Sequence, residues 1–310
     1  MRVLFWGTPE FAVPPLRALI GEGFDVVGVV TQPDKAVGRS RSKLEAPPIK
    51  QIALDESLPV LQPEKPRGDE FIAQLRALEP DISVVVAYGH LLPTDVIDLP
   101  RLGTLNIHAS LLPLLRGASP IQAAIREGHT ETGVTIMRMV KALDAGPILV
   151  QARTPVPDDE TYGELQLRLA EMGAMALIEA LTLIDIGRAI ETPQNDALAT
   201  YAGKVGRGEA RVDWTKDAAT VSRIIRAYDP RPGAFTQAAS GEVKLFGARL
   251  APRTAERPPG EVLTIDGDGL TVACGTGAVR IAAVHPAGKR RIAPAEWSRG
   301  RGISVGERLF

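Results

Sequence analysis

The chain has 310 residues, of which 45% are hydrophobic and 24% charged, so it has enough apolar material for a folded core, and its length favours two domains. Charged residues or prolines interrupt every apolar run, which argues against a membrane protein, and the chain starts directly with a strand-like segment, so we expect no signal peptide. The single cysteine, Cys274, cannot form an intramolecular disulfide and suits a reducing compartment, so we expect a cytoplasmic protein.

Strands and helices alternate along the first part of the chain. The segments that resemble strands are short and rich in valine and isoleucine, and the segments between them repeat their apolar residues at helical spacing. The predicted strands are 3–6, 26–31, 58–61, 81–88 and 103–108, and the predicted helices are 11–20, 69–78 and 161–186. This alternation predicts an α/β domain with a mostly parallel, Rossmann-like sheet that has helices on both faces.

The turn after the first predicted strand, Gly7-Thr8-Pro9, lacks the G-x-G-x-x-G pattern of a dinucleotide-binding loop. We therefore predict no nicotinamide cofactor. In open parallel sheets, ligands bind beyond the carboxyl ends of the strands. Tyr88-Gly89-His90 and Asn106-Ile107-His108 both end predicted strands, so we expect them to face one crevice.

A basic segment follows the second predicted strand. Residues 35–43 contain four cations together with glycine and serine: Lys35, Arg39, Arg41 and Lys43. Such a segment suits contact with phosphate groups and can become ordered on binding. The alternative interpretation is an ordinary solvated surface loop.

Three side chains suited to acyl transfer come from two short segments. Asn106 and His108 are two residues apart, a spacing that places both side chains on one face of a strand. An asparagine amide can donate to a developing oxyanion, and a histidine can accept or donate a proton near neutral pH. Asp144, in Leu143-Asp144-Ala145-Gly146, could orient the imidazole and make it more basic. Taken singly, each residue has a structural alternative, as a turn residue or a buried histidine.

The segment Ser110-Leu111-Leu112-Pro113 directly follows the candidate histidine. It indicates either a ligand-binding loop that presents backbone groups or a plain loop anchored by apolar residues. Arg116, just beyond it, suits either a functional role or a structural ion pair. With four histidines and one cysteine, the chain has no spacing typical of a zinc site, so we predict no metal.

The last third of the chain has a different character. A linker is predicted within residues 194–208, followed by a helix at 218–227 and five short strands at 234–238, 243–246, 260–265, 270–273 and 279–284. Five short strands punctuated by glycine and proline predict a small OB-type β-barrel. We therefore divide the chain into residues 1–203, a catalytic domain, and residues 204–310, a β-barrel domain.

The two predicted domains differ in charge. Residues 1–203 contain 18 Lys and Arg against 26 Asp and Glu, a net charge of −8, whereas residues 204–310 contain 18 against 11, a net charge of +7. A basic domain joined to an acidic one suggests that the basic domain meets a polyanion, although chance composition is an alternative. The densest basic cluster is Lys289-Arg290-Arg291.

The motifs together carry a family resemblance over nearly the whole chain. The sequence resembles the methionyl-tRNA formyltransferases, a family of the folate-dependent formyltransferase superfamily. The matching strings are Phe5-Trp6-Gly7-Thr8-Pro9-Glu10-Phe11, Thr31-Gln32-Pro33-Asp34, Val85-Val86-Ala87-Tyr88-Gly89, Asn106-Ile107-His108, Ser110-Leu111-Leu112-Pro113, Arg116-Gly117-Ala118, Glu131-Thr132-Gly133-Val134-Thr135, Leu143-Asp144-Ala145-Gly146 and Ala210-Arg211-Val212-Asp213-Trp214.

The resemblance implies transfer of the formyl group of 10-formyltetrahydrofolate to the α-amino group of methionine on initiator tRNA, for translation initiation. It implies that Asn106, His108 and Asp144 are catalytic and that Ser110, Leu111, Leu112 and Pro113 line the folate site. The basic residues expected to contact tRNA are Lys35, Arg39, Arg41, Lys43, Lys289, Arg290 and Arg291. We predict no stable protein partner.

Two other functions use parts of the same pattern. The catalytic set could formylate an amine of a nucleotide sugar or of a purine, but the basic segment and the barrel-like tail argue against a small acceptor. A non-catalytic protein that binds folate or RNA is the other alternative, although a binding module has no need of all three catalytic side chains.

Overall fold

The computed structural model describes residues 1–37, 43–252 and 257–310. They form two compact units that interleave along the sequence. The first unit consists of Met1–Gly117, Thr132–Thr154 and Gln166–Tyr201, and the second of Ala118–Glu131, Pro155–Leu165 and Ala202–Phe310. The division at residues 203 and 204 stays a prediction.

The elements have the following bounds. The strands are β1 (Arg2–Gly7), β2 (Asp25–Val30), β3 (Lys35–Val37), β4 (Lys43–Glu45), β5 (Val60–Leu61), β6 (Ile82–Val86), β7 (Thr104–His108), β8 (Glu131–Arg138), β9 (Ile148–Pro155), β10 (Ala234–Ala238), β11 (Gly241–Leu250), β12 (Val262–Asp266), β13 (Gly269–Ala273) and β14 (Ala278–Pro286). The helices are α1 (Val13–Gly21), α2 (Pro48–Asp55), α3 (Asp69–Ala77), α4 (Thr94–Ile97), α5 (Pro120–Arg126), α6 (Tyr162–Asp185), α7 (Ala218–Ala227) and α8 (Pro294–Arg299).

A seven-stranded sheet forms the centre of the first unit, in the order β5-β2-β1-β6-β7-β8-β9. The pairs from β5 to β7 are parallel, and β8 runs antiparallel to β7. The prediction of a mostly parallel sheet is therefore confirmed. Strand β6 is buried along its whole length, which explains why four of its five residues are isoleucine or valine.

Several elements of the first unit lie outside the predicted ones, among them the helices α2 and α4. Strands β8 and β9 extend the sheet on the far side of β7. Strands β3 and β4 pair as an antiparallel hairpin within the basic segment, with Lys35 opposite Glu45 and Val37 opposite Lys43. The predicted tRNA contacts Arg39 and Arg41 lie outside the described residues.

The second unit contains a five-stranded sheet in the order β10-β11-β14-β13-β12, and each neighbouring pair is antiparallel. The expectation of a small domain of antiparallel strands is confirmed at that level. Helix α7 starts where the Asp217 carboxylate accepts a hydrogen bond of 2.9 Å from the Thr220 amide, an N-cap. Its apolar face packs on β11, and α5 packs on α7.

The second unit therefore draws α5 and the segment Pro155–Leu165 from positions far upstream of its sheet. The predicted linker, residues 194–208, is divided between the units, because residues up to Tyr201 belong to the first unit and later ones to the second. Within the described ranges, each helix is too short or too polar to cross a lipid bilayer.

Candidate active site

The carboxyl ends of the parallel strands are tied together by polar contacts in the first unit. The Tyr88 carbonyl, just after β6, accepts hydrogen bonds from the Thr8 hydroxyl after β1 (3.1 Å) and from the Gln32 amide after β2 (2.9 Å). The Tyr88 side chain is only 1% exposed, and its ring packs edge-on against Trp6. Burial raises the pKa of Tyr88 to about 12, so the phenol stays neutral at physiological pH.

Strand β7 carries Asn106 and His108 at its carboxyl end. Both residues are within the strand, so their spacing of two places their side chains on one face of the sheet. His108 is 5% exposed and Asn106 is half-buried. Within the described part of the chain, the Asn106 carboxamide makes no hydrogen bond, which leaves its N–H groups available to a bound molecule.

The imidazole of His108 has a defined orientation. Its Nε2 atom lies 2.9 Å from the carbonyl oxygen of Leu115. Because a carbonyl oxygen only accepts, Nε2 carries the hydrogen of this bond. In the neutral imidazole the lone pair is therefore on Nδ1, the nitrogen that faces Asp144.

Asp144 lies beside this nitrogen. Its Oδ2 atom is 3.7 Å from His108 Nδ1, which is beyond hydrogen-bond distance but close enough for the carboxylate to attract the imidazole when it is protonated. The same oxygen accepts a hydrogen bond of 2.7 Å from the Gly117 amide. Asp144 has a φ of 48°, a left-handed conformation that non-glycine residues adopt infrequently, so its surroundings must hold it in place.

The loop that carries Asp144 passes very close to the end of β8. A Cβ atom added at Gly146 would lie 1.9 Å from the Arg138 carbonyl oxygen and 2.9 Å from its carbonyl carbon. Both atoms belong to backbone and cannot rotate away. Position 146 therefore has to be glycine because the Asp144 loop and the end of β8 lie too close together for a side chain.

We expect Gly146→Ala to lower kcat by about 10²-fold, because the clash must displace the neighbouring Asp144 carboxylate by a distance on the order of 1 Å. Steady-state kinetics and a thermal melt would measure the effect. Gly21→Ala is the matched control, since a Cβ at Gly21 meets nothing within 4 Å. Equal activity of the two variants would contradict the requirement.

The segment predicted to line the folate site is held by internal hydrogen bonds. The Ser110 hydroxyl donates to the Leu114 carbonyl at 2.6 Å, so it is engaged within the loop itself. The Thr135 hydroxyl on β8 donates to the Ser110 carbonyl (2.7 Å) and accepts from the Leu112 amide (3.2 Å). The side chains of Leu111 and Pro113 are half-buried, whereas Leu112 is buried. A folate-binding role for this segment stays a prediction.

Arg116 is a buried side chain that bonds to a half-buried glutamine and to an exposed aspartate. The side chain is 3% exposed, and its guanidinium donates to Gln194 Oε1 and to Asp196 Oδ1, the latter at 2.7 Å. Of the two alternatives, the structure therefore supports the ion pair. Gln194 had no signal of its own in the sequence, because its partners are far away along the chain.

The predicted tRNA contacts have different surroundings. Lys35 and Lys43 are exposed on the β3–β4 hairpin of the first unit. In the second unit, Arg290 pairs with Glu296 at 3.4 Å. Arg291 lies 3.7 Å from Asp229 and 4.1 Å above the ring of Phe246. Two of the three cations in the densest basic cluster thus already have partners inside the protein.

Asp229, the partner of Arg291, is 5% exposed. Burial raises the pKa of this carboxyl group, opposed by a hydrogen bond from the Gly247 amide and by the charge of Arg291. The positive charge of Arg291 thus offsets part of the negative charge of the buried Asp229 carboxylate. Lys289 is exposed and has no ion-pair partner among the described residues.

No metal centre is evident in the described ranges, since they contain no group of three or more His, Cys, Asp or Glu residues placed to hold an ion.

Two family models match the chain. The model described as formyl transferase matches residues 1–181, and the model described as formyl transferase, C-terminal domain, matches residues 204–302. The methionyl-tRNA formyltransferase of Aromatoleum aromaticum is 48% identical over 309 residues, which cover 100% of this chain and 97% of that protein. That of Methylococcus capsulatus is 46% identical, with 100% of this chain and 99% of that protein covered.

Solved structures share the fold. HypX from Aquifex aeolicus in complex with tetrahydrofolic acid matches 99% of this chain and 48% of its own length, with a TM-score of 0.69 and 21% identity. WlaRD, a sugar 3N-formyltransferase, matches 94% of this chain and 99% of its own length, with a TM-score of 0.66 and 17% identity. At these identities the likeness establishes the fold alone.

Proposed function

Because the chain belongs to the methionyl-tRNA formyltransferase family, we propose that Asn106, His108 and Asp144 carry out its formyl transfer. The protein transfers the formyl group of 10-formyltetrahydrofolate to the α-amino group of methionine on methionyl-tRNA, for translation initiation. The observation that carries the residue assignment is the position of His108 between Asp144 and the Leu115 carbonyl, on the strand face that also presents Asn106.

Asn106 would stabilise the oxyanion. Attack of the amine on the formyl carbon moves negative charge onto the formyl oxygen, and a fixed N–H donor at that oxygen lowers the barrier. The Asn106 amide suits this role because it is half-buried and makes no hydrogen bond within the described chain.

His108 would accept the proton that the attacking amine loses. The lone pair is on Nδ1, so the proton is taken up there and an imidazolium results. Asp144 Oδ2 stands 3.7 Å from Nδ1, and the Leu115 carbonyl accepts from Nε2 on the other side. The charge of Asp144 stabilises the imidazolium, and the Leu115 carbonyl accepts a hydrogen bond from its Nε2–H. The proton on Nδ1 can then pass to the departing folate nitrogen.

The folate co-substrate would bind along the segment that follows β7. Ser110, Leu111, Leu112 and Pro113 start directly after His108 and its neighbour, and bonds to Thr135 hold the segment against β8. The backbone carbonyls of all four residues already accept hydrogen bonds within the protein, so the pterin ring would meet a loop whose position is fixed before binding.

The nucleic acid would be held by basic residues of both units. We place phosphate contacts at Lys35, Arg39, Arg41 and Lys43 in the first unit and at Lys289, Arg290 and Arg291 in the second. The initiator form of the tRNA is the proposed acceptor. We further propose that the five antiparallel strands of the second unit form an OB-type barrel, a fold that commonly binds nucleic acids, and that the reaction takes place in the cytoplasm with translation.

The test of the assignment is the fate of a labelled formyl group. With 10-formyltetrahydrofolate labelled on the formyl carbon and methionyl-tRNA, we expect label on the methionine α-amine. Asn106→Ala should lower kcat by about 10²–10³-fold with little change in the KM of the donor. Asn106→Asp, which keeps the shape but replaces the donor with an acceptor, should be at least as slow.

Wild-type protein that labelled a nucleotide-sugar amine in preference to methionyl-tRNA would refute the acceptor. Normal turnover by Asn106→Ala would remove Asn106 from the catalytic set while leaving the acceptor intact.

A further inference from the structure

Gln194 makes contact with both loops of the candidate active site. We propose that it is a positioning residue, which holds the Asp144 carboxylate beside His108 without touching either substrate. This inference rests on the proposed catalytic role of Asp144.

The side chain of Gln194 uses its full hydrogen-bonding capacity. Its Nε2 atom donates to the carbonyl oxygens of Asp144 (2.8 Å) and Gly146 (2.7 Å). Its Oε1 atom accepts from Arg116 Nε (3.1 Å) and Nη2 (2.8 Å). One amide therefore joins the loop after β8 to the loop after β7.

Hydrogen bonds hold Asp144 at both its backbone and its carboxylate. Gln194 holds the backbone of Asp144 on one side, and on the other side the Gly117 amide donates to Asp144 Oδ2 at 2.7 Å. Gly117 is the neighbour of Arg116, whose guanidinium Gln194 also fixes. Moving any one of these groups therefore shifts the distance between the carboxylate and His108.

The segment that contains Gln194 also fixes the other side of the imidazole. The Thr200 hydroxyl accepts a hydrogen bond of 2.8 Å from the Leu115 amide, and the Thr200 carbonyl accepts one of 2.8 Å from the Arg116 amide. Leu115 is the residue whose carbonyl accepts from His108, and its φ of 58° is left-handed. Gln194 and Thr200 thus hold the two loops that flank the imidazole, those of Asp144 and Leu115.

The conformation of Asp144 explains why external contacts are needed. Its left-handed φ gives the loop no support from regular secondary structure. The neighbouring Gly146 is pressed against the Arg138 carbonyl. Without the two donors of Gln194, the carbonyls of Asp144 and Gly146 lose the bonds that set the position of the loop.

Gln194→Met keeps the length of the side chain and removes the hydrogen bonds to Asp144, Gly146 and Arg116, together with a long contact of 3.9 Å from Nε2 to Met137 Sδ. We expect kcat to fall by about 10²-fold, because small displacements of catalytic groups cost that much. The KM values for donor and methionyl-tRNA should stay within about twofold of wild type. Gln51→Met, at an exposed glutamine on α2, is the matched control and should leave kcat unchanged.

A double-mutant cycle tests whether Gln194 acts through Asp144. Single-turnover rates would be compared for Gln194→Met, Asp144→Asn and the double variant. If the residues act as a unit, Gln194→Met slows the Asp144→Asn enzyme by less than about threefold. Full additivity, with each substitution costing the same in either background, would overturn the inference.

A second variant covers the case in which Gln194→Met does not fold. Gln194→Glu keeps the contact with Arg116 and replaces the two donors with an acceptor that repels both carbonyls, so it should show the same loss of kcat. Wild-type kcat in the folded variants would overturn the positioning role alone. Wild-type kcat in Asp144→Asn would overturn the catalytic assignment and this inference with it.

Discussion

Asp144→Asn is expected to lower kcat by about 10²–10⁴-fold in a protein that remains folded. The amide of asparagine has the shape of the carboxylate and can still accept from the Gly117 amide, which lies 2.7 Å from Oδ2. It lacks the negative charge that stabilises an imidazolium at His108, where Nδ1 is 3.7 Å away. Turnover at saturating donor and methionyl-tRNA measures the loss.

The control for this variant is Asp55→Asn at the exposed end of α2, which removes a charge far from β7 in the sequence and should leave kcat unchanged. A thermal melt establishes that both variants are folded. Near-normal turnover by Asp144→Asn would remove the carboxylate from the mechanism, and the proton transfer would then have to rely on His108 and the Leu115 carbonyl.

Binding of methionyl-tRNA should weaken steeply with salt. If six or more phosphates are neutralised, affinity falls by about 10³-fold or more between 50 and 200 mM salt, because each contact releases condensed counterions. Lys289→Gln should make the slope of log K against log salt shallower by about 0.7–0.9, since Lys289 is exposed and has no ion-pair partner in the described part of the second unit. Titrations at several salt concentrations measure both slopes.

Arg291 is a poorer choice for this test, because it pairs with the buried Asp229 and stacks on Phe246. Its replacement would alter the stability of the second unit as well as its charge. The KM of the folate donor is the internal control and should change far less over the same salt range. A tRNA affinity that does not respond to salt would refute phosphate contacts as the basis of binding.

The sequence predicted the parallel strands of the sheet but missed the two strands beyond β7, the buried β8 and the edge strand β9. Strand β6 is buried along its whole length, and four of its five residues are isoleucine or valine, a composition that indicates a buried strand. Strand β9 was missed because most of its residues are half-buried and its sequence mixes apolar and polar side chains without a clear period. The β3–β4 hairpin was missed for a similar reason, as β4 is fully exposed.

The site residues also differ in whether the sequence could predict them, and the difference is whether their contacts are local or distant along the chain. The spacing of Asn106 and His108 is local, and a strand turns it directly into a shared face. The approach of Asp144 could be inferred only from family resemblance, because nothing in a turn specifies what it packs against. Gln194 could not be found at all, since its partners lie 48 to 78 residues away and a glutamine in a polar segment carries no pattern.

The interleaving of the two units has a consequence for protein engineering. The tail that matches the C-terminal family model starts at residue 204, yet the compact unit that contains it also includes α5 and the segment Pro155–Leu165. A recombinant fragment beginning at residue 204 would leave bare the surface of α7 on which α5 packs. A chimera that transplants this module onto another enzyme should therefore carry α5 and that upstream segment along with the tail.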